Sequence, residues 1–477
     1  MGQGMRKFLT AILLAGVAQG AMAQEGPMPN LRPDQKTYLA LYKELVETNT
    51  TRSAGDCTLA ATRLLAHMKA AGFSDADAQV FVAPGHPKEG GLTAILHGTS
   101  KTAKPITLLG HLDVVEAKRA DWVRDPFKLI EENGYFYGRG TSDMKAMTSA
   151  WVDILDRFKQ QGYQPRRDIK LALTCGEEGA PFDGAEWLAQ NQPEKVKAAF
   201  ALNEGGGGRS DGHGKVVIES IQVGEKAFQD FRLETRNVGG HSSIPIKDNA
   251  IYELAEALLK VRDLEFPVHM SDTTKAFFSK AGEARDDPMG EAMMAIAKNP
   301  HDAAAEKTVS ADRSYHSMLR TTCVATLLDG GHADNALPQR AGANINCRIF
   351  PGESAESVRA ALAKAIDDPN VSVTATWIGA RRPLASPPPL DPKVIGPAEA
   401  LVAKYFPGVP LVPDMSTGAT DGIFLEQIGV PVYGVPGGWG DPDGNGTHGL
   451  NERRSVHSLF VGRDFLTDLV KSYAQAD

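Results

Sequence analysis

Two adjacent carboxylates, Glu177 and Glu178, stand in Thr174-Cys-Gly-Glu-Glu-Gly179, directly after the apolar run Ile169 to Leu173. A strand ending in Gly-Glu-Glu-Gly neither continues as a helix nor buries both charges, so a tight turn at the carboxyl edge of a sheet is expected. The plain alternative is a solvated acidic turn, since exposed acidic pairs are common. Other stretches argue for chemistry. His111 and Asp113 lie two apart on an extended segment and project to one side. The Asp113 carboxylate can then take the imidazole N–H of His111 and aim the other ring nitrogen at a metal. Asp143, Glu204 and His448 also follow strand-like runs or sit in Gly-rich turns. With His111 and Glu178 they offer two imidazoles and three carboxylates, a donor set suited to two zinc ions that share one carboxylate. Glu177, next to ligand Glu178, is then placed to take a proton from water.

The elements that must position these residues follow from the apolar pattern. Helices are expected from Lys36 to Val46 and from about Thr58 to Ala71, and strands at Val80 to Val82, Leu92 to Leu96 and Pro105 to Leu109. Thr141-Ser-Asp143 should open a helix to about Lys159 that buries Met147, Ala150, Trp151, Ile154, Leu155 and Phe158. Strands at Ile169 to Leu173 and Ala199 to Leu202 end in acid. Strands alternating with helices imply an α/β fold with a mainly parallel sheet. From Ala227 onward the order becomes strand, helix, strand, strand, helix, strand, ending at Val371 to Trp377. That β-α-β-β-α-β order is ferredoxin-like. A polar, helix-prone stretch, Leu264 to Arg320, interrupts it, and the Pro-rich Arg382 to Pro392 reads as the return linker. Val430 to Val435 is a last core strand, and a helix from about Val456 to Ala474 closes the chain.

The chain has 477 residues, 42% of them hydrophobic, and a formal charge of −8. That length allows two or three domains with substantial cores. Arg6 and Lys7 precede an apolar run from Phe8 to about Val17, and Ala21-Met-Ala23 is a small-x-small cleavage site. This reads as a secretory signal peptide over residues 1–23, too short to span a bilayer, with a mature start near Gln24 in the periplasm or outside the cell. No Cys near the cleavage point offers a lipid anchor. Cleavage removes Arg6 and Lys7, which takes the charge from −8 to −10 and makes nucleic acid a poor partner. Cys57, Cys175, Cys323 and Cys347 are too sparse for a disulfide framework. Cys323 and Cys347 lie in neighbouring strand-like runs and could pair, but ordinary core thiols are expected.

Gly110-His-Leu-Asp113, Tyr137-Gly-Arg-Gly-Thr-Ser-Asp143-Met-Lys145, Gly176-Glu-Glu-Gly179, Asn203-Glu-Gly205, Gly240-His-Ser-Ser243 and His448-Gly-Leu-Asn-Glu452 together resemble the co-catalytic zinc peptidases. That family includes aminoacylases, glutamate carboxypeptidases, acetylornithine deacetylases and succinyl-diaminopimelate desuccinylases. The resemblance runs from about Lys36 to the C-terminus. The long insertion and Asp334-Asn-Ala-Leu-Pro338 are most similar to the vacuolar carboxypeptidase and secreted N-acyl amino acid hydrolase branch, while Asp143-Met-Lys145 looks more like the desuccinylase branch. The resemblance implies a catalytic domain in two parts, 24–224 and 384–477. Between them comes a ferredoxin-like lid and dimerisation domain, 225–383, with the helical insertion 264–320. It implies two Zn2+, with Co2+ or Mn2+ able to substitute: Asp143 bridging, His111 and Glu204 in one site, Glu178 and His448 in the other. A cis peptide at Asp143–Met144 is also implied.

The same resemblance assigns the small-domain residues. His241 would reach the partner subunit's site in a homodimer and stabilise the oxyanion, although a surface turn histidine is the alternative. Asn335 and Arg348 match positions that hold the substrate's carbonyl and free carboxylate, and Arg348 could instead be a structural ion pair. Gly418 and Thr420 look like pocket walls, and His332 reads as a turn residue. In the family the ligand at Glu204 is generally Glu in carboxypeptidases and deacylases, and Asp in enzymes that grip a free amine. The expected reaction is hydrolysis of an amide bond beside a free carboxylate in a small peptide or N-acyl amino acid, with Glu177 as general base. The rivals are a dipeptidase that holds a free amine and an inactive binding protein on the same fold.

Overall fold

The computed structural model describes residues 30–179, 181–376 and 387–476. The expected signal peptide, the start near Gln24, Trp377 and residues 382–386 of the return linker lie outside them. At the centre of the large sheet, Ile106–His111 runs parallel between Ile169–Thr174 and Phe200–Asn203. These strands are almost wholly buried, which is why their sequences are continuous apolar runs without alternation. Helix Lys145–Gln160 covers one face, burying Ala150, Trp151, Ile154, Leu155 and Phe158, and Trp151 Nε1 donates to the Leu109 carbonyl at 3.0 Å. The C-terminal helix Val456–Gln475 joins the same core. Helices Gly184–Asn191 and Gly422–Gln427 cover the other face through Leu188, Phe424 and Leu425.

Across the sheet the order is Ala78–Phe81, Gly91–Leu96, Ile169–Thr174, Ile106–His111, Phe200–Asn203, Val432–Gly434, Val216–Glu225, Gly207–Ser210, Trp439–Gly440. Leu411–Ser416 lies parallel to Val216–Glu225, off this path. The centre is parallel, and antiparallel pairs lie toward the margins. Val216–Glu225 and Leu411–Ser416 are not among the strands expected from sequence. The first buries Glu219 and Gln222 among its apolar residues, and the second carries Pro413, which an edge strand tolerates.

The second sheet is antiparallel throughout, in the order Thr322–Gly330, Arg340–Ile349, Ala227–Arg236, Val371–Thr376. Helices Ala250–Asp263 and Ala355–Ile366 pack on it around Phe231, Leu233, Leu254, Ile345 and Leu362. This is the expected ferredoxin-like order. Residues 264–320 form helices Asp272–Glu283, Pro288–Lys298, Ala303–Val309 and Arg313–Met318. Although they interrupt the small domain in sequence, their core of Phe278, Met293, Ile296 and Leu319 closes on Val412 of the large sheet. The insertion thereby covers an edge strand.

Both cysteine pairs form disulfides, which corrects the expectation of core thiols. Cys57 joins Cys175 and Cys323 joins Cys347, with Cα separations of 6.2 and 4.1 Å. Cys323 and Cys347 are direct cross-strand neighbours, a register that residue spacing alone does not reveal. The Cys57 bridge ties the first turn of helix Cys57–Ala70 to the turn that carries Glu177 and Glu178.

Candidate metal centre and active site

His111 ends its strand opposite Thr174, from which the Glu177–Glu178 turn departs, and Glu204 follows Asn203 on the third strand. The three parallel strands deliver their acids and imidazole to one carboxyl edge. Gly176, at φ 114°, starts the turn, and a Cβ there would lie 2.1 Å from the Phe182 carbonyl oxygen. Only glycine fits. Asp143 comes from a loop and is joined to Met144 by a cis peptide, as the resemblance implied. His448 sits in a turn at φ 60°.

Asp143 presents one oxygen to each imidazole. Oδ1 is 3.2 Å from His111 Nε2, and Oδ2 is 2.9 Å from His448 Nε2. Glu204 Oε1 lies 3.6 Å from His111 Nε2, and Glu178 Oε2 lies 3.0 Å from His448 Nε2. The five side chains fall into two sets with Asp143 common to both. Glu177 groups with His111 and Glu204, their donor atoms within 4.8 Å of one another. Imidazole nitrogens and carboxylates converging in this way fit divalent cations.

The electrostatics agree with that donor set. Burial disfavours charge on His111, yet Glu204, Asp113 and Asp143 raise its pKa well above the ordinary imidazole value. His448 is pushed up to about 10 by hydrogen bonds to Asp143 and Glu178. Burial raises Glu204, while for Asp143 the two imidazoles overcome burial and hold the carboxyl low. Three acids around two imidazoles make a site that draws positive charge.

Asp113 serves this site differently from the expectation. His111 Nδ1 is 3.0 Å from the Asp113 main-chain carbonyl and 3.6 Å from its carboxylate Oδ1, so the chain's own carbonyl orients the ring. The carboxylate reaches instead to the acidic turn, where Oδ2 accepts from Glu178 N at 3.1 Å. The helix expected to open at Thr141 begins at Lys145. The reason is Glu452, whose buried carboxylate accepts from the main-chain N–H groups of Gly140, Ser142 and Asp143 and from Arg139 Nη1, at 2.7–3.0 Å. Sequence reasoning missed this role, although an acid standing alone among small and polar residues close to His448 was its signal. Buried Lys145, whose Nζ donates to the Thr48 carbonyl at 2.8 Å, was also missed; burial lowers its pKa to about 7.

The remaining expected residues lie elsewhere. His241 is exposed on the two-residue strand Gly240–His241, paired with Ala336–Leu337, and its Nδ1 is 2.7 Å from Ser243 Oγ. Asn335 is beside it, its carbonyl accepting from Ser242 N. Arg348 is on the second sheet, its guanidinium carbon 5.1 Å from the Phe228 ring centre. Thr420 is buried, its hydroxyl 2.9 Å from Glu225 Oε2 and 3.1 Å from Asn203 Nδ2, and Gly418 N donates to Ser416 Oγ. A cavity of about 970 Å³ opens beside Asp143 and Glu204 and is lined further by Met147, Val435, Phe277 and Tyr315.

Residues 107–472 match peptidase family M20/M25/M40. The chain belongs to that family. Relatives include the N-fatty-acyl-amino acid synthase/hydrolase PM20D1 of Homo sapiens, 28% identical over 386 residues, covering 79% of this chain and 76% of the relative. A probable carboxypeptidase S-like 2 of Dictyostelium discoideum is 26% identical over 392 residues, covering 79% and 73%. Among solved structures, the M20 family metallo-carboxypeptidase Sso-CP2 from Sulfolobus solfataricus superposes with a TM-score of 0.70 at 18% identity, covering 93% of this chain and all of that one. The dipeptidase Dug1p from Saccharomyces cerevisiae reaches 0.62 at 16% identity, covering 93% and 96%. Both structures share the fold. As an M20/M25/M40 peptidase the protein is a hydrolase of the metallopeptidase class that uses a divalent metal. No helix among the described residues is long and apolar enough to cross a membrane.

Proposed function

We propose that this is an exported di-zinc amidohydrolase that cleaves an amide bond beside a free carboxylate, in N-acyl amino acids or C-terminally unblocked peptides. The observation that carries the reading is Asp143, with one oxygen turned to each of two imidazoles and Glu177 beside the same cluster. His111 and Glu204 would hold one metal ion, Glu178 and His448 the other, and Asp143 both. When bound, the metal pair supplies Lewis acidity at the scissile carbonyl and acidifies water. Glu177 accepts the proton of the attacking water and returns it to the leaving amine. His241, exposed on the small domain, donates to the oxyanion across a dimer, with Asn335 at the carbonyl. Arg348 pairs with the substrate carboxylate, which a guanidinium grips with two parallel hydrogen bonds. Thr420 and Gly418, near the sheet's carboxyl edge, shape the pocket wall.

The substrate class is supported by the names of the relatives, a fatty-acyl amino acid synthase/hydrolase and a carboxypeptidase S-like protein. Glu204 and Arg348 favour a carboxylate over an ammonium at the recognition end. Export is supported by the pattern of residues 1–23 and by two disulfides, which persist in oxidising compartments. The test is a panel of N-acyl amino acids, blocked dipeptides and free dipeptides, with metal content measured on the same enzyme. Blocked substrates are expected to be cleaved at least as well as free ones, and amidating the carboxylate to abolish most turnover. Cleavage of free dipeptides alone would place the protein among dipeptidases.

A further inference from the structure

The cavity beside Asp143 and Glu204 continues inward between helix Lys145–Gln160 and the C-terminal helix, past Met147, Ala150, Leu459 and Leu466. Four guanidinium groups line it: Arg209, Arg285, Arg454 and Arg463. Three of them are accounted for. Arg463 is bonded to Asp153, Asp34 and Asp464, Arg285 to Asp287, and Arg209 is exposed to solvent. Arg454 differs. It is half-buried and has no carboxylate within 4.0 Å among the described residues, and its Nε has no hydrogen-bond partner there. The guanidinium lies against bare backbone, since a Cβ on Gly438 would stand 2.0 Å from Arg454 Nη2.

Drawing a cation even partly out of water without a counter-charge is costly. The carboxyl group whose charge bears on Arg454 is Glu219, whose Oε2 accepts from Gly437 N at 3.0 Å. Burial pushes Glu219 up to about 8, and it forms no ion pair with Arg454 within 4.0 Å among the described residues. The other acids on the cavity wall are engaged or turned elsewhere. Asp441 accepts from Arg453, Tyr135 and Ser210, the charge of Arg209 acts on Asp414, and Asp143 and Glu204 face the imidazoles of the candidate metal centre.

We propose that this cavity is a substrate subsite of the hydrolytic centre and that Arg454 determines specificity in it, pairing with an acidic group on the acyl arm. The preferred substrates are then ω-carboxyacyl amino acids, the acyl arm running past Met147 and Val435 with its terminal carboxylate on Arg454. The assignment rests on the amidohydrolase reading above, and binding separates the two.

The experiment compares N-acyl amino acids matched in chain length, one series ending in methyl and one in carboxylate, on wild type and on Arg454→Met. Wild type should favour the carboxylate series at least tenfold in kcat/KM. Arg454→Met should lose that preference while cleaving the methyl series as before. Independently of turnover, calorimetry with glutarate and adipate should show binding to the metal-loaded wild type that weakens at least tenfold in Arg454→Met. Equal losses on both series, a wild-type preference for methyl ends, or dicarboxylate binding unchanged by the substitution would each overturn the proposal. The wild-type comparison stands even if the variant does not fold. Dicarboxylate binding through Arg454 without hydrolysis of either series would sink the amidohydrolase reading and keep the anion subsite.

Discussion

At the scale of single residues, the structure separates groups that carry charge for chemistry from groups that burial holds neutral. Glu219 is fully buried, and its pKa rises from 4.5 to about 8 chiefly through burial, against the N–H of Gly437. The folded protein therefore retains a proton that the unfolded chain releases above 4.5. Its stabilising contribution is complete below 4.5 and is lost as pH rises through about 8. Glu219→Gln keeps an acceptor for Gly437 N and removes the titration. The melting temperature of the variant relative to wild type is expected to be higher at about pH 8 than at about pH 5. A difference independent of pH would mean that Glu219 is ionised throughout. The residues that converge on the cluster, His111, Asp143, Glu177, Glu178, Glu204 and His448, could be singled out in the sequence because each follows a strand or lies in a Gly-rich turn. Glu452 and Arg454 were not, because their roles depend on partners or on a cavity far away in the chain.

Among the elements, the buried central strands and the helix with Trp151 were legible as continuous apolar runs and as a helical stripe. The missed strand Val216–Glu225 hides its pattern behind buried Glu219 and Gln222, and the disulfides depend on a register that spacing does not carry. The loop before helix Lys145–Gln160 was misread because Thr141, Ser142 and Asp143 are good helix-capping residues. The N–H groups of Ser142 and Asp143 are claimed by Glu452 from the other end of the chain. This clamp fixes the segment that delivers Asp143. Glu452→Gln leaves buried Arg139 with the Gly449 carbonyl but without a counter-charge, and is expected to cost about 3–5 kcal/mol in unfolding free energy. Denaturant titration of the metal-free protein reads this directly. A loss within about 0.5 kcal/mol, as for ordinary surface positions, would show that the loop holds its shape without the clamp.

For the whole molecule, the small domain carries His241 and an edge strand, Thr322–Gly330, on which Val324, Leu327 and Leu328 are 60%, 65% and 70% exposed. An apolar, unpaired edge of this kind is a template for another chain. With Tyr252 and Leu259 exposed on the neighbouring helix, it supports a homodimer in which each small domain serves its partner's site. Mixing inactive His241→Ala and inactive Glu177→Gln subunits is then expected to restore partial activity in the heterodimer. A monomer with full activity in solution would remove the trans role of His241. The large domain's claim, that Glu177 moves the proton while its neighbours hold the metals, is tested most directly by Glu177→Gln with metal content and turnover measured on one sample. Two metal ions per chain should remain while kcat falls by about 10²–10⁴-fold or more. Loss of metal in parallel with activity would make Glu177 a ligand and contradict its role as the base.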